Sequence, residues 1–229
     1  MVKEPEKISV LISIYNGEST AEQSIKTITS QTYTNLEILI IDDGSTDRTF
    51  EICKSLELED SRIKVFKNQD NVGLTKCLNI LISHATGSFI ARHDIDDYSK
   101  KDRFKTQLSF LQKRKLDVVY SRARIIKLNK IIPGISFYFP KNLVVKFKNP
   151  FIHGTLLAKK EAILGVGKYD ERFKYSQDYK LVHDLFKTGF KVKILRESLY
   201  NLNMENNISQ NFRTQQEYFA NCVRKNKNP

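Results

Sequence analysis

Within its first 97 residues the chain alternates short apolar runs with helical periodicity, and two of those runs end in carboxylates. Ile8 to Ile14 reads as a buried strand, and Tyr15-Asn16-Gly17 turns it into a helix beginning near Glu18 with Ala21, Ile25 and Ile28 on one face. Glu37 to Ile41 is a second strand, followed by a helix holding Phe50, Ile52, Cys53 and Leu56, with Ser45 or Thr46 as its cap. Arg62 to Phe66, a helix over Thr75 to Ser83, and Phe89 to Ala91 continue the alternation. Strands that alternate with helices at this spacing predict an α/β fold with a mostly parallel, twisted central sheet flanked by helices, Rossmann-like in its N-terminal half.

The second run delivers Asp42-Asp43-Gly44-Ser45-Thr46-Asp47, and the fourth delivers Arg92-His93-Asp94-Ile95-Asp96-Asp97. In an open α/β sheet, ligands bind beyond the carboxyl ends of the strands, so these acids are expected in one cleft. Carboxylates gathered there repel one another unless a cation sits among them. Mg²⁺ or Mn²⁺ typically takes one or two carboxylates plus substrate phosphates, which points to a metal-bound phosphate ester.

Beyond Asp97 the regularity fades. A helix capped by Ser99 runs through Phe104, Leu108 and Leu111, and Val118 to Tyr120 and Ala123 to Leu128 look like strands before the turn at Pro133-Gly134. A basic stretch reaches Lys148; then come a strand at Thr155 to Ala158, a helix from Asp178 to Lys187, a strand at Lys191 to Leu195, and a closing helix from about Asn211 to Arg224. No internal repeat or Pro/Gly/Ser linker interrupts the 229 residues, which are expected to form one domain with halves at 1–97 and 98–229.

The two halves differ in charge. Residues 1–97 carry 10 basic and 16 acidic side chains, and residues 98–229 carry 28 and 10. A basic half suits a phosphorylated substrate or an anionic membrane surface, and no zinc-finger spacing or aromatic RNA motif favours nucleic acid. Cys53, Cys77 and Cys222 lie far apart in no metal or redox spacing, which fits a reducing cytoplasm. Met1 to Lys7 lacks the apolar core of a signal peptide, and no run reaches the roughly 20 apolar residues of a spanning helix, so any membrane contact is expected to be peripheral. The terminal segment from Phe212 to Lys227 suits either a membrane-surface helix or one packed on the domain.

The ordered set Val10 to Asn16, Asp42 to Asp47, Asp94 to Asp97 and Gln177-Asp178-Tyr179-Lys180-Leu181 resembles the family 2 glycosyltransferases of the glycosyltransferase A fold, over roughly Ile8 to Ser209. The resemblance implies an inverting, metal-dependent transfer of a sugar from a nucleoside diphosphate sugar, most simply a UDP-sugar, to a hydroxyl of a glycan or lipid-linked acceptor in cell-surface polysaccharide synthesis. By the same carry-over, Ser13, Tyr15, Asn16 and Asp43 meet the nucleotide, with Tyr15 stacking on the base and Asp43 accepting from its imino group. Asp42 is expected to hold the loop. Asp97 would bind Mn²⁺ or Mg²⁺, Asp96 would approach the ribose and share the metal, and Asp94 would be secondary. Asp178 would be the catalytic base. His153 would face the acceptor or diphosphate.

The chain departs from the family pattern twice. Gln177 stands where a glutamate usually precedes the catalytic aspartate, and an arginine common near Asn203 is missing. These departures keep open a second reading, a catalytically inactive glycosyltransferase-like subunit that binds nucleotide sugar or glycan. A nucleotidyltransferase would want a Gly-rich basic loop after the first strand, and a dinucleotide oxidoreductase would want G-x-G-x-x-G; Tyr15-Asn16-Gly17-Glu18 is neither.

Overall fold

The computed structural model describes residues 6–203 and 212–229. The first five residues, the expected start of the closing helix at Asn211 and the end of the resemblance at Ser209 lie outside the described residues. The alternation read from the sequence is realised as β1 (Ile8–Ile14), α1 (Ala21–Thr29), β2 (Leu36–Asp42), α2 (Thr49–Glu59), β3 (Ile63–Lys67), α3 (Leu74–His84) and β4 (Phe89–Arg92). These strands lie in the order β3-β2-β1-β4, all parallel. After β3 the chain crosses back to the far side of β1, so the crevice at the strand ends opens between β1 and β4.

Successive side chains of a strand point to opposite faces, and both faces are covered here. Ile8, Val10, Ile12 and Ile14 of β1 pack with Ile25, Ile28, Cys53, Phe104 and Leu108 from α1, α2 and the later helix over Arg103–Lys113. Leu11, Leu39, Ile41 and Ile90 face α3 and the C-terminal helices instead. That double burial is why these strands read as continuous apolar runs.

The C-terminal half adds β5 (Tyr98–Ser99), α4 (Arg103–Lys113), β6 (Val118–Ile125), β7 (Lys130–Ile132), α5 (Lys141–Val144), β8 (Leu157–Lys159), α6 (Lys160–Gly165), α7 (Gln177–Lys187), β9 (Val192–Leu202) and α8 (Arg213–Arg224). It extends the sheet from β4 through β8, β6 and β9 to β5, with β7 hairpinned on β6. The long β6–β9 ladder is parallel, while the short β4–β8, β6–β8, β5–β9 and β6–β7 ladders are antiparallel.

Several elements differ from their expected bounds. The strands expected at Val118–Tyr120 and Ala123–Leu128 are one strand, because Ser121 and Arg122 continue its pairing with β9 through a bulge. At that bulge the register jumps from Leu195 to Ser198, which pushes charged Arg196 and Glu197 out to solvent and lets β9 run to Leu202. The strand expected at Thr155–Ala158 starts two residues later, since His153–Thr155 form a 3₁₀ turn. Helix α8 packs on the domain: Val223 is buried, and Phe219 lies against Phe173 and Tyr175. Among the described residues no helix is long and apolar enough to cross a membrane.

Candidate active site

Ile14 is level with Asp42 across the β1–β2 ladder, so Tyr15, Asn16 and Asp43 emerge side by side at the strand ends. Tyr15 is half exposed there and fills no core. Asn16, in the left-handed region at φ 49°, accepts from the Thr46 N–H at 2.9 Å through its side-chain oxygen, and its own N–H donates to Ser45 Oγ at 2.9 Å. Ser13 sits half-buried beside Cys77.

The Asp43 carboxylate is buried and accepts three hydrogen bonds from the β3–α3 loop: Asn68 Nδ2 at 2.8 Å, Val72 N–H at 2.9 Å and Gly73 N–H at 2.9 Å. The loop-holding expected of Asp42 is therefore shared. Asp42 accepts from the Ser45 N–H at 3.3 Å, and its other oxygen is buried without a partner. The Cys77 thiol also lies within hydrogen-bonding reach of the Asp43 carboxylate.

Leu11 is level with Arg92, which places the acidic loop 93–97 alongside the last turn of β1. Asp97 is buried, and its Oδ1 accepts the Asn203 N–H at 2.8 Å. Burial, with the charges of Asp94 and Asp96, pushes its carboxyl up to about 9. Burial and Asp94 raise Asp96 to about 6. Asp94 differs: burial would raise it too, but Arg92 Nη2 at 2.6 Å from its Oδ1 holds it below the ordinary carboxylate range.

Two buried arginines brace this loop. Arg92 donates to the carbonyls of Leu11, at 2.9 Å, and of His93. Arg103 donates to Ser99 Oγ at 2.9 Å and to the Arg92 carbonyl at 2.7 Å, and lies 5.0 Å over the Tyr200 ring. The Tyr200 hydroxyl in turn accepts the Asp94 N–H at 3.0 Å. His93, fully buried between Ser24 and Ser99, is kept neutral by burial and the Arg103 charge. Gly154 closes the arrangement, because a Cβ there would stand 2.5 Å from the Tyr200 oxygen and 2.6 Å from Asp94 Oδ2.

Asp178 is the second residue of α7, whose preceding residue Ser176 takes the left-handed conformation and ties to Gln216 of α8. Its Oδ2 accepts Asn149 Nδ2 at 2.7 Å. Burial pushes its carboxyl up to about 6 against the pull of the Tyr179 N–H, and the Asp94 charge adds to the rise. It lines a cavity of about 350 Å³ with Lys148, Arg213, Glu217 and Arg224. Gln177 is buried beside it. His153 Nε2 lies 2.7 Å from the Tyr169 hydroxyl, and burial and Arg92 lower it to about 4, so it is neutral at physiological pH.

The geometry thus brings Asp94, Asp96 and Asp97 together at the end of β4, next to the β1 and β2 termini. Asp178 stands apart, within electrostatic reach of Asp94. Arg92, Arg103, His93 and Tyr200 were not singled out from the sequence as site residues. No local signal marks Arg103 or Tyr200, whereas Arg92 and His93 adjoin the acidic motif.

A divalent cation suits this donor set. The buried Asp97 and its neighbour Asp96 are short of positive charge where a metal would supply it, and one or two carboxylates suffice when substrate phosphates complete the shell. Among the described residues no three His, Cys, Asp or Glu side chains form a complete site alone.

Comparison with known proteins agrees with this picture. The profile of Glycosyl transferase family 2 matches residues 9–165. The putative glycosyltransferase EpsE of Bacillus subtilis is 35% identical over 203 residues, 85% of this chain and 72% of that protein. The UDP-Glc:alpha-D-GlcNAc-diphosphoundecaprenol beta-1,3-glucosyltransferase WfaP of Escherichia coli is 30% identical, over 82% of this chain and 73% of that one. Among solved structures, S. aureus TarS superposes with a TM-score of 0.76 at 20% identity over 94% of this chain, which spans only 39% of TarS. The mannosyltransferase PcManGT of Pyrobaculum calidifontis, in complex with GDP-Man and Mn²⁺, gives 0.76 at 17% identity, covering 99% of this chain and 67% of that one. Those two likenesses establish the glycosyltransferase A type of fold. With the family profile covering more than half its length and EpsE aligned along most of it, the chain belongs to glycosyl transferase family 2.

Proposed function

We propose that this protein transfers a sugar, with inversion, from a nucleoside diphosphate sugar to a hydroxyl of a glycan or lipid-linked acceptor, in cell-surface polysaccharide synthesis on the cytoplasmic side. The observation that carries this reading is the pair of environments on either side of Asp94. Asp97 is a buried carboxyl that keeps its proton up to about 9 for want of a neighbouring cation, and Asp178 is a carboxyl raised to about 6, where a general base at neutral pH works well. UDP is the favoured carrier. The Asp43 carboxylate suits the imino N–H of uracil as an acceptor, half-exposed Tyr15 offers a ring for the base, and Ser13 and Asn16 flank it. WfaP is described as using UDP-Glc and a diphosphoundecaprenol-linked acceptor, which supports both ends of the reaction.

In the reaction, the acceptor oxygen attacks the anomeric carbon, the bond from that carbon to the diphosphate breaks, and the acceptor proton passes to Asp178. Proton removal of this kind contributes about 10² to 10⁴ in rate. Asp97 and Asp96 would hold a divalent cation, Mn²⁺ or Mg²⁺, which when bound would supply neutralisation of the diphosphate charge. Asp94, paired with Arg92, keeps the loop in place, and neutral His153 with Tyr169 forms the adjoining wall. The test is nucleoside diphosphate release from a panel of nucleotide sugars with Mn²⁺, with and without lipid-linked acceptors. Acceptor-dependent release that is lost in Asp97→Ala and Asp178→Ala supports the proposal; tight nucleotide binding without turnover on any acceptor overturns it in favour of a binding subunit.

A further inference from the structure

Half of the exposed large apolar side chains among the described residues fall within 126–147. In the knob 135–147, Ile135 is 80% exposed, Tyr138 71%, Phe139 56%, Leu143 50% and Phe147 74%. These are unusual values for residues that would normally be buried, and the backbone carrying them is tightly held. Lys141 Nζ donates to the carbonyls of Ser136, Phe137 and Phe139 at 3.1, 2.5 and 2.6 Å. Arg122 Nε donates to the Pro133 carbonyl at 3.2 Å and stacks its guanidinium 5.1 Å over Phe137. Buried Val145 is anchored by its carbonyl, which accepts the Tyr179 hydroxyl at 2.6 Å. A fixed scaffold therefore presents apolar side chains to the outside.

Along this stretch of the sequence the charge has one sign. From Val118 to Lys160 the chain holds nine Lys and Arg residues and no Asp or Glu. Lys127, Lys130, Lys146 and Lys148 are exposed among the apolar groups. Lysine is depleted at protein–protein interfaces, whereas aromatic rings with flanking lysines suit the headgroup layer of a bilayer, where the ammonium groups reach lipid phosphates and the rings sit at the acyl boundary.

We propose that 135–147 with its flanking lysines is a docking surface for an anionic lipid bilayer. This surface is distinct from α8, whose Val223 is buried and whose Phe219 lies against Phe173. The knob continues directly into Asn149, which holds Asp178. Docking there brings the bilayer next to the residue assigned to the acceptor hydroxyl. That link to acceptor delivery rests on the transferase reading; the bilayer contact itself does not.

The test is co-sedimentation with vesicles of phosphatidylcholine alone or with about a third phosphatidylglycerol. The protein is expected to bind the anionic vesicles, less so at high salt, and the Phe139→Ser/Leu143→Ser/Phe147→Ser variant to bind roughly tenfold more weakly or worse. A Lys130→Glu/Lys146→Glu variant, which keeps every apolar group, is expected to lose the anionic preference and guards against a folding defect in the first. Failure to bind anionic vesicles, or equal binding by the variants, overturns the proposal. So does a dimer in sedimentation velocity that the serine variant dissolves, because the occupant is then a second copy. Vesicle binding by a protein that turns over no nucleotide sugar leaves this surface standing and sinks the transferase reading instead.

Discussion

Asp97→Asn is expected to make the metal-free protein more stable while abolishing its activity. The Asp97 carboxyl is raised from an ordinary 3.8 to about 9 in the fold, by burial first and then by Asp94 and Asp96. Below about pH 4 both folded and unfolded chains hold this proton, and the group contributes nothing. As pH rises toward 9 the unfolded chain releases the proton while the fold retains it, so stability falls with pH across that window. At pH 7 the unfolded carboxyl sits about three units above its pKa at about 1.4 kcal/mol per unit, which caps the penalty at roughly 4 kcal/mol. Asparagine keeps an oxygen for the Asn203 N–H, and its amide can donate to the Tyr200 hydroxyl, so about half of that ceiling, on the order of 2 kcal/mol, is expected as a gain. The assay is urea unfolding in EDTA at pH 5 and pH 8, then with Mn²⁺. The wild type should weaken relative to Asp97→Asn between the two pH values, and Mn²⁺ should stabilise the wild type alone. A variant no more stable than wild type at pH 8 without metal would refute the reasoning, because the buried carboxylate would then not be short of a cation.

The pH profile of kcat/KM is expected to rise through an acid limb near 6, since Asp178 must be ionised to take a proton and burial holds it there. Gln177→Glu should move that limb upward by about one unit, by adding a second carboxylate beside the first; a limb that stays put would separate Asp178 from the proton transfer. Gly154→Ala should cost about 1–3 kcal/mol in denaturant unfolding, and a larger fraction of activity, because its Cβ meets the Tyr200 oxygen at 2.5 Å and Asp94 at 2.6 Å. Wild-type kinetics in that variant would show the acidic loop to be freer than its packing indicates.

The N-terminal half was legible because β1, β2 and β4 are buried on both faces and the helices carry apolar stripes, so local pattern and tertiary environment agree. The C-terminal half was less so. Strand β6 carries Arg122 and Arg124 within its span, and β9 carries Arg196-Glu197 at a bulge, which breaks the apolar run each strand would otherwise display. Strands β5 and β7 are two and three residues long and owe their existence to a partner strand, which no window of sequence reveals.

The site divides along the same line. The candidate carboxylates stand out in the sequence because three acids within four residues are costly without a purpose, but what makes them tolerable does not. The chain lacks the arginine expected near Asn203, and exposed lysines are poor substitutes because water screens them. The compensation comes from Arg92, two residues before Asp94, and Arg103, the first residue of a helix of the basic half. Both are buried, so their charge acts at short range on Asp94. That selectivity explains why three neighbouring carboxyls diverge: Asp94, paired with Arg92, falls below its ordinary range, while Asp96 rises to about 6 and Asp97 to about 9. The arginines satisfy one acid and leave the other two without a compensating charge, which is where the proposed transfer would place a divalent cation.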